Sequence, residues 1–225
     1  MNKITVLLAE DHLIVREGLR GLLKTEQDIA IVGEAANGRQ AVQLASKLRP
    51  DVIVMDIAMP QLNGLEATRQ ILEVLPASKV IILSAHADDA YVEQANAAGA
   101  VGYLIKQASS LALCEAIREV QKGNTFFSPS INKHLKHQYE KSSSRKGLSK
   151  KRSSGLSSRE MEVLQLIAEG KANKESASEL GISIKTIEKH RQHLMQKLNI
   201  HDTAGLTRYA VSTGIIESSV QLTIV

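Results

Sequence analysis

Tryptophan is absent from the 225 residues, cysteine occurs once, and no apolar run approaches the ~20 residues that a membrane-crossing helix needs. The single Cys114 cannot close an internal disulfide, which excludes a disulfide-stapled scaffold and suits a reducing compartment. It lies in LALCEAI, where a small apolar side chain on a helix face is the expected role. The opening MNKITVLLAED has one Lys and about six apolar residues before a carboxylate pair, short of the ~7 to 15 of an export signal. A cytoplasmic protein with no membrane segment is therefore expected. A G-x-x-x-x-G-K run is also missing, and with it the loop that cradles nucleotide phosphates. What remains is 43% apolar and 23% charged, the composition of one large or two ordinary globular domains.

The two halves carry net charges of opposite sign. Residues 1–125 hold 12 basic and 15 acidic groups, whereas residues 126–225 hold 16 and 9. An acidic half joined to a basic half suggests two tasks, one of them at a polyanion. Half of the second half's basic groups fall between 133 and 152, so residues 153–225 balance eight against eight.

The first half repeats a short apolar run followed by an amphipathic stretch. The runs are 4–9, 29–35, 51–56, 79–85 and 100–106, and the intervening segments carry helical spacing such as Val15, Leu19, Leu22, Leu23. Five βα repeats predict a five-stranded parallel sheet, doubly wound, with helices on both faces. Residues 128–155 are polar, basic and Ser-rich and read as a linker, either a solvated tether or a helix over 131–139 continuing the first domain. The second half predicts a small all-α domain of four helices. Ser157 and Glu160 form a capping-box pattern, a second helix runs from Asn173 to Leu180 and stops at Gly181, a third follows Ser183, and a fourth follows Asp202. The Gly181-Ile182 turn between two short helices is a helix-turn-helix candidate.

Ligands of parallel α/β sheets bind beyond the carboxyl ends of the strands. There the first run ends in Glu10-Asp11, the third in Asp56, the fourth in Ser84 and the fifth in Lys106. Taken singly, each reads as a turn former, a cap or a solvated group. Together they describe an oxygen site for Mg2+, which relieves the mutual repulsion of three carboxylates. Asp11 and Asp56 would be direct ligands and Glu10 would act through water. With the charge neutralised, Asp56 can attack phosphorus, and Lys106 and the Ser84 hydroxyl can hold phosphoryl oxygens.

These residues carry a resemblance. Glu10-Asp11, the run Asp56-Ile-Ala-Met-Pro60 with Gly64, Ser84-Ala85 and Gly102-Tyr-Leu-Ile-Lys106 resemble the receiver domain of bacterial response regulators. LSSREMEVLQLIAEGKANKESASELGISIKTIEKHRQHLMQKLNI is similar to the LuxR-type helix-turn-helix. Both together are the pattern of the NarL/FixJ class, over about residues 3–127 and 153–216. The resemblance implies a flavodoxin-like receiver over 1–127, the linker at 128–152, a DNA-binding domain over 153–216 and a tail at 217–225. It implies that Asp56 is phosphorylated by a histidine kinase, that the Ala58 carbonyl completes the metal shell, and that Tyr103 is an aromatic switch turning inward on phosphorylation. Two departures are Leu13 and Gln107, where relatives often have Pro.

For the second half the resemblance implies that Lys185 and Thr186 grip phosphates of double-stranded DNA while Glu188, Lys189 and Gln192 face base edges, all opposite a stripe of Ile184, Ile187, Leu194 and Leu198. Ser176 stands where the family usually has an aliphatic residue. One short helix reads few base pairs, so a homodimer on DNA is expected, with Leu206, Tyr209, Ala210 and Val211 as its pairing surface. Two rival classes are weighed. A Mg2+-dependent aspartyl-phosphate phosphatase needs an acid two residues after the nucleophile, where Ala58 stands, so no enzyme activity is expected. A protein-binding adaptor differs from a DNA-binding regulator in lacking salt-sensitive duplex binding.

Overall fold

Each apolar run becomes a strand: β1 (Ile4–Ala9), β2 (Ile29–Ala35), β3 (Val52–Asp56), β4 (Lys79–Ser84) and β5 (Gly102–Ile105). They come from a computed structural model that describes residues 3–86, 88–107, 110–127 and 155–216. The described residues fall into two units, one on each side of the junction at 151/152. The linker reading at 128–152 and the tail at 217–225 lie outside them.

In the first unit all pairings are parallel, in the order β2-β1-β3-β4-β5 with a sixth strand, β6 (Phe126–Phe127), beside β5. The five-strand expectation is thus one short. A two-residue strand is too brief to show any periodicity, and β6 is held in place by pairing with Gly102 and Tyr103. Alternate strand residues build two cores. Leu7, Ile53, Met55 and Ile82 meet α2 (Gly38–Leu48), α3 (Gly64–Val74) and α4 (Asp89–Ala98) through Ala41, Ala45, Ile71 and Val92. Val6, Leu8, Val54 and Ile81 meet α1 (Leu13–Lys24) and α5 (Ser110–Gln121) through Leu23, Leu113 and Ile117. Burial on both faces is why these strands are continuous apolar runs. The order reverses between β1 and β3, which opens a crevice at their carboxyl ends.

The second unit has four helices, here α6 (Ser158–Ala168), α7 (Asn173–Leu180), α8 (Ile184–Leu198) and α9 (Thr203–Ser212). The capping box closes as expected: the Ser157 hydroxyl accepts from Glu160 N at 3.2 Å, and Glu160 accepts from Ser157 N at 2.7 Å. Gly181, at φ 62, ends α7 in the left-handed conformation that permits the tight turn, and Ser183 caps α8 by accepting from Thr186 N at 3.1 Å. Ser176 is 2% exposed, a polar residue inside this small core.

Two expectations for this unit need correction. Ile184 is 45% exposed rather than buried, because as the first residue of α8 it lies outside the cluster that takes Ile187 and Leu194. Leu206 and Ala210 are at 0% exposure and belong to the domain's own core, whereas Tyr209 and Val211 are partly exposed, so of the four residues expected to pair only these two keep surface for a partner. Leu206→Ala is accordingly expected to destabilise the second unit by roughly 2–5 kcal/mol. Urea unfolding of the full chain, followed by far-ultraviolet circular dichroism, checks this; unchanged stability with weakened self-association would restore the pairing role.

Candidate functional site

The carboxyl ends of β1, β3, β4 and β5 deliver the expected residues to one place. Glu10 and Asp56 are almost fully buried, at 1% and 3% exposure, and Asp11 is partly exposed. Lys106 reaches across from β5 to pair with Glu10 Oε2 at 2.9 Å and Asp56 Oδ1 at 3.1 Å. Asp56 Oδ1 also accepts from Ile57 N at 2.9 Å, whereas Asp56 Oδ2 is buried with no hydrogen-bond donor. Ser84 Oγ accepts from His86 N at 3.1 Å, which fixes the hydroxyl at the rim of the same crevice. Ala58 follows Asp56 in the β3–α3 loop, which is tied back by Met59 N and Gly64 N, both donating to the Ile57 carbonyl.

The electrostatics of the cluster favour a cation. Three carboxylates face one ammonium, leaving two negative charges in excess, the charge of one divalent cation. Burial, reinforced by the neighbouring Glu10 charge, pushes the Asp56 carboxyl up to about 6. Burial opposes the charge of Lys106, but the Asp56 and Glu10 carboxylates outweigh it and hold the ammonium above its ordinary range. An all-oxygen donor set with an orphaned buried carboxylate oxygen fits a hard dication such as Mg2+.

Tyr103 lies beside this pocket on β5. Its side chain is already inside, at 0% exposure, and its hydroxyl donates to the His86 carbonyl at 2.8 Å. Burial pushes the phenol up to about 12. The His86 ring stacks on Tyr91 with centroids 4.7 Å apart, so the β4–α4 segment holds Tyr103 from above.

In the second unit, Lys185, Glu188, Lys189 and Gln192 are exposed on one side of α8, opposite Ile187 and Leu194, and Thr186 is half-buried with its hydroxyl 2.8 Å from Ser183 Oγ. Arg191 ties the helices together, donating to Asn173 Oδ1 of α7 at 3.1 Å and to Thr203 Oγ1 of α9 at 3.2 Å. Lys197 pairs with Glu160 at 2.7 Å. Of the basic groups on α8, two are thereby occupied within the domain and Lys185 and Lys189 face outward.

Comparison with known proteins bears on both units. The family model of the response regulator receiver domain matches residues 6–118, and that of bacterial regulatory proteins of the luxR family matches residues 154–210. The chain belongs to the NarL/FixJ-type response regulators. The regulator is 36% identical to the transcriptional regulatory protein DegU of Brevibacillus brevis, over 96% of each chain. The RcsB response regulator of Salmonella typhimurium superposes with a TM-score of 0.56 at 29% identity, covering 94% of this chain and 100% of that one. A structure of RcsB in complex with DNA gives 0.57 at 28% identity, covering 94% and 99%. The regulator is thus a two-component response regulator with a receiver and a LuxR-type DNA-binding domain.

Two residues of the regulator's pocket escaped the sequence reading. His12 Nδ1 lies 2.9 Å from Asp11 Oδ1 and 3.1 Å from Glu10 Oε1, and the Asp11 carboxylate holds its imidazole above the ordinary value. Arg16, one turn into α1, donates to the Glu10 carbonyl at 2.6 Å and anchors the acid pair from behind. The available signal was position: both follow Glu10-Asp11 within about one helical turn.

Proposed function

We propose that Asp56 is the phosphoacceptor of this regulator and that its phosphorylation by a histidine kinase controls binding to double-stranded DNA as a homodimer. The observation that carries this reading is the buried Asp56 carboxylate at the end of β3, with Lys106 on one oxygen and no donor on the other. The attacking oxygen forms a bond to phosphorus as the phosphorus–nitrogen bond of a phosphohistidine breaks, and the freed imidazole takes up a proton. Mg2+, held by Asp11, Asp56 and the Ala58 carbonyl with Glu10 acting through water, would supply charge neutralisation for the incoming phosphoryl group. Lys106 and the Ser84 hydroxyl are within the same crevice to receive phosphoryl oxygens. Movement of Ser84 would then act on His86, whose amide it accepts and whose carbonyl holds Tyr103, so Tyr103 serves as the switch by changing partner and not by entering the core.

The output is binding and not turnover of a separate substrate: Ala58 offers no side-chain acid two residues beyond Asp56. Residues 1–127 act as the receiver, 128–152 as a linker, 153–216 as the DNA-binding domain and 217–225 as a tail, in a cytoplasmic protein. In the major groove, Lys185 and Thr186 would hold phosphates and Glu188, Lys189 and Gln192 would meet base edges. The pairing surface on DNA must lie outside Leu206 and Ala210. Among the described residues no helix is long and apolar enough to cross a membrane.

The test is titration of duplex DNA with and without phosphodonor and Mg2+, at several salt concentrations. Phosphodonor is expected to tighten binding to an inverted repeat more than to a half-site; equal affinity for both would overturn dimeric readout. Lys189→Ala is expected to cost about 1–3 kcal/mol on a cognate site and little elsewhere. Replacing Lys146, Lys150, Lys151 and Arg152 with Ser is expected to weaken all duplexes alike and to flatten the salt slope by about 0.9 for each phosphate no longer neutralised. An unchanged slope would make that basic run a solubilising segment only.

A further inference from the structure

We propose that Arg191 is a positioning residue for base readout: it sets the roll of α8, and hence where Glu188, Lys189 and Gln192 meet the duplex, without itself touching DNA. The proposal rests on the DNA-binding reading given above and assigns a role which that reading leaves open.

Arg191 stands between two of the readers in sequence, where a phosphate contact is the ordinary role of a cation on a helix lying against DNA. Its side chain is engaged inside the domain instead. Nη1 donates to Asn173 Oδ1 at 3.1 Å and Nη2 donates to Thr203 Oγ1 at 3.2 Å, on residues 18 earlier and 12 later in the chain. Asn173 is the first residue of α7 and Thr203 the first of α9, so one planar guanidinium joins α8 to the starts of two other helices. Arg191 is half-buried in this position, while Lys185 and Lys189 are exposed.

The apolar contacts of α8 leave its rotation weakly determined. Ile187 and Leu194 are its buried residues, and Met195 and Leu198 pack partly buried against the same core. At ~100° per residue, Ile187, Leu194 and Leu198 fall within about 40° of one line along the helix. Apolar contact is non-directional, so a seam of this kind resists separation more than it resists rolling. Hydrogen bonds and ion pairs are directional and can stop the roll. Arg191 lies ~40° from Ile187 on the side of the readers, and Lys197 lies ~80° away on the other side. There Lys197 pairs with Glu160 of α6 at 2.7 Å, so the two cations hold opposite flanks of the seam. A roll of about 10° shifts groups at the ~5–6 Å outer radius of a helix by about 1 Å. That displacement takes a hydrogen bond to a base edge out of its distance range.

Arg191→Lys keeps the charge and loses the planar fork, whereas Asn173→Ala combined with Thr203→Val removes both acceptors and leaves Arg191 in place. Fluorescence anisotropy of the full chain, treated with phosphodonor and Mg2+, compares a duplex selected by the wild type from a random pool with a scrambled duplex at several salt concentrations. Urea unfolding of each variant verifies the fold. Arg191→Lys is expected to lose about tenfold on the selected duplex, the size of one bidentate base contact, with little change on the scrambled duplex and none in the salt slope. The acceptor variant should lose as much, and combining it with Arg191→Lys should add little, because both break the same fork. A phosphate contact predicts otherwise: Lys would retain the affinity, the acceptor variant would bind as well as wild type, and Arg191→Gln would flatten the salt slope by about 0.9 on both duplexes. That result would overturn the proposal, as would a loss of stability with a parallel loss on both duplexes, which would make Arg191 a brace of the fold only. If the wild type enriches no duplex over the scrambled one, the DNA-binding reading itself falls.

Discussion

Asp56→Asn is expected to abolish phosphoryl uptake and, in the absence of metal, to make the receiver more stable at pH 7. The two effects share a cause. In the metal-free fold, burial and the Glu10 charge raise the Asp56 carboxyl from 3.8 to about 6. The native state therefore binds a proton more readily than the unfolded chain, and stability falls as pH rises from about 4 to about 6. Above that window the ionised carboxylate carries its full cost, at ~1.4 kcal/mol per pKa unit up to about 3 kcal/mol. Below 3.8 the cost is absent. Asn at this position can still accept from Ile57 N and from Lys106, and Lys106 keeps its pair with Glu10, so little is lost in exchange. Urea unfolding at pH 5 and pH 7.5, with and without Mg2+, reads the result. Wild type should gain from Mg2+ at pH 7.5 and the Asn variant should start higher and gain little. A variant that is less stable than wild type without metal, or that is still labelled by a small phosphodonor, would remove Asp56 from the centre of the site.

Gly64→Ala is expected to cost about 3 kcal/mol or more and to impair phosphorylation, although Gly64 lies eight residues from the acceptor. Gly64 opens α3, capped by Asn63, and its amide donates to the Ile57 carbonyl at 2.8 Å. A Cβ built there would fall on the Asp56 carbonyl oxygen, far inside van der Waals contact, and would press on the Met55 side chain. The obstacle is backbone, so the clash is relieved only by moving the loop that carries Asp56 or by tilting α3. Gly18 and Gly21 provide the control, since a Cβ at either meets nothing within 4 Å. Each lies inside α1, where Gly→Ala should stabilise by roughly 0.5–1 kcal/mol. Thermal unfolding of the three variants, alongside phosphodonor labelling, tests the contrast. If Gly64→Ala behaves like Gly21→Ala, the close approach of α3 to β3 does not shape the site.

Much of the receiver was legible because a parallel sheet buried on both faces writes its strands as apolar runs and its functional residues at their ends. Glu10, Asp11, Asp56, Ser84 and Lys106 could be placed at one edge from that rule, and the caps Ser157, Ser183 and Asp202 marked three helix starts through interactions that span three residues. Leu206 and Ala210 were misplaced on a pairing surface for the converse reason. Leu206 and Ala210 make an apolar stripe, but a stripe does not say whether it meets its own core or another molecule.

By itself, then, the sequence determined the βα alternation, the four helices, the charge division and the identity of the groups at the strand ends, all of which depend on local spacing or composition. Tertiary structure alone decided which of those groups touch. Lys106 meets Glu10 across 96 residues, His12 turns onto the acid pair, Tyr103 settles inside against the His86 carbonyl, and β6 exists only because β5 offers it an edge. Such contacts are set by packing over long stretches of chain, where side-chain direction and burial are shared properties of several elements and belong to no one segment of the sequence.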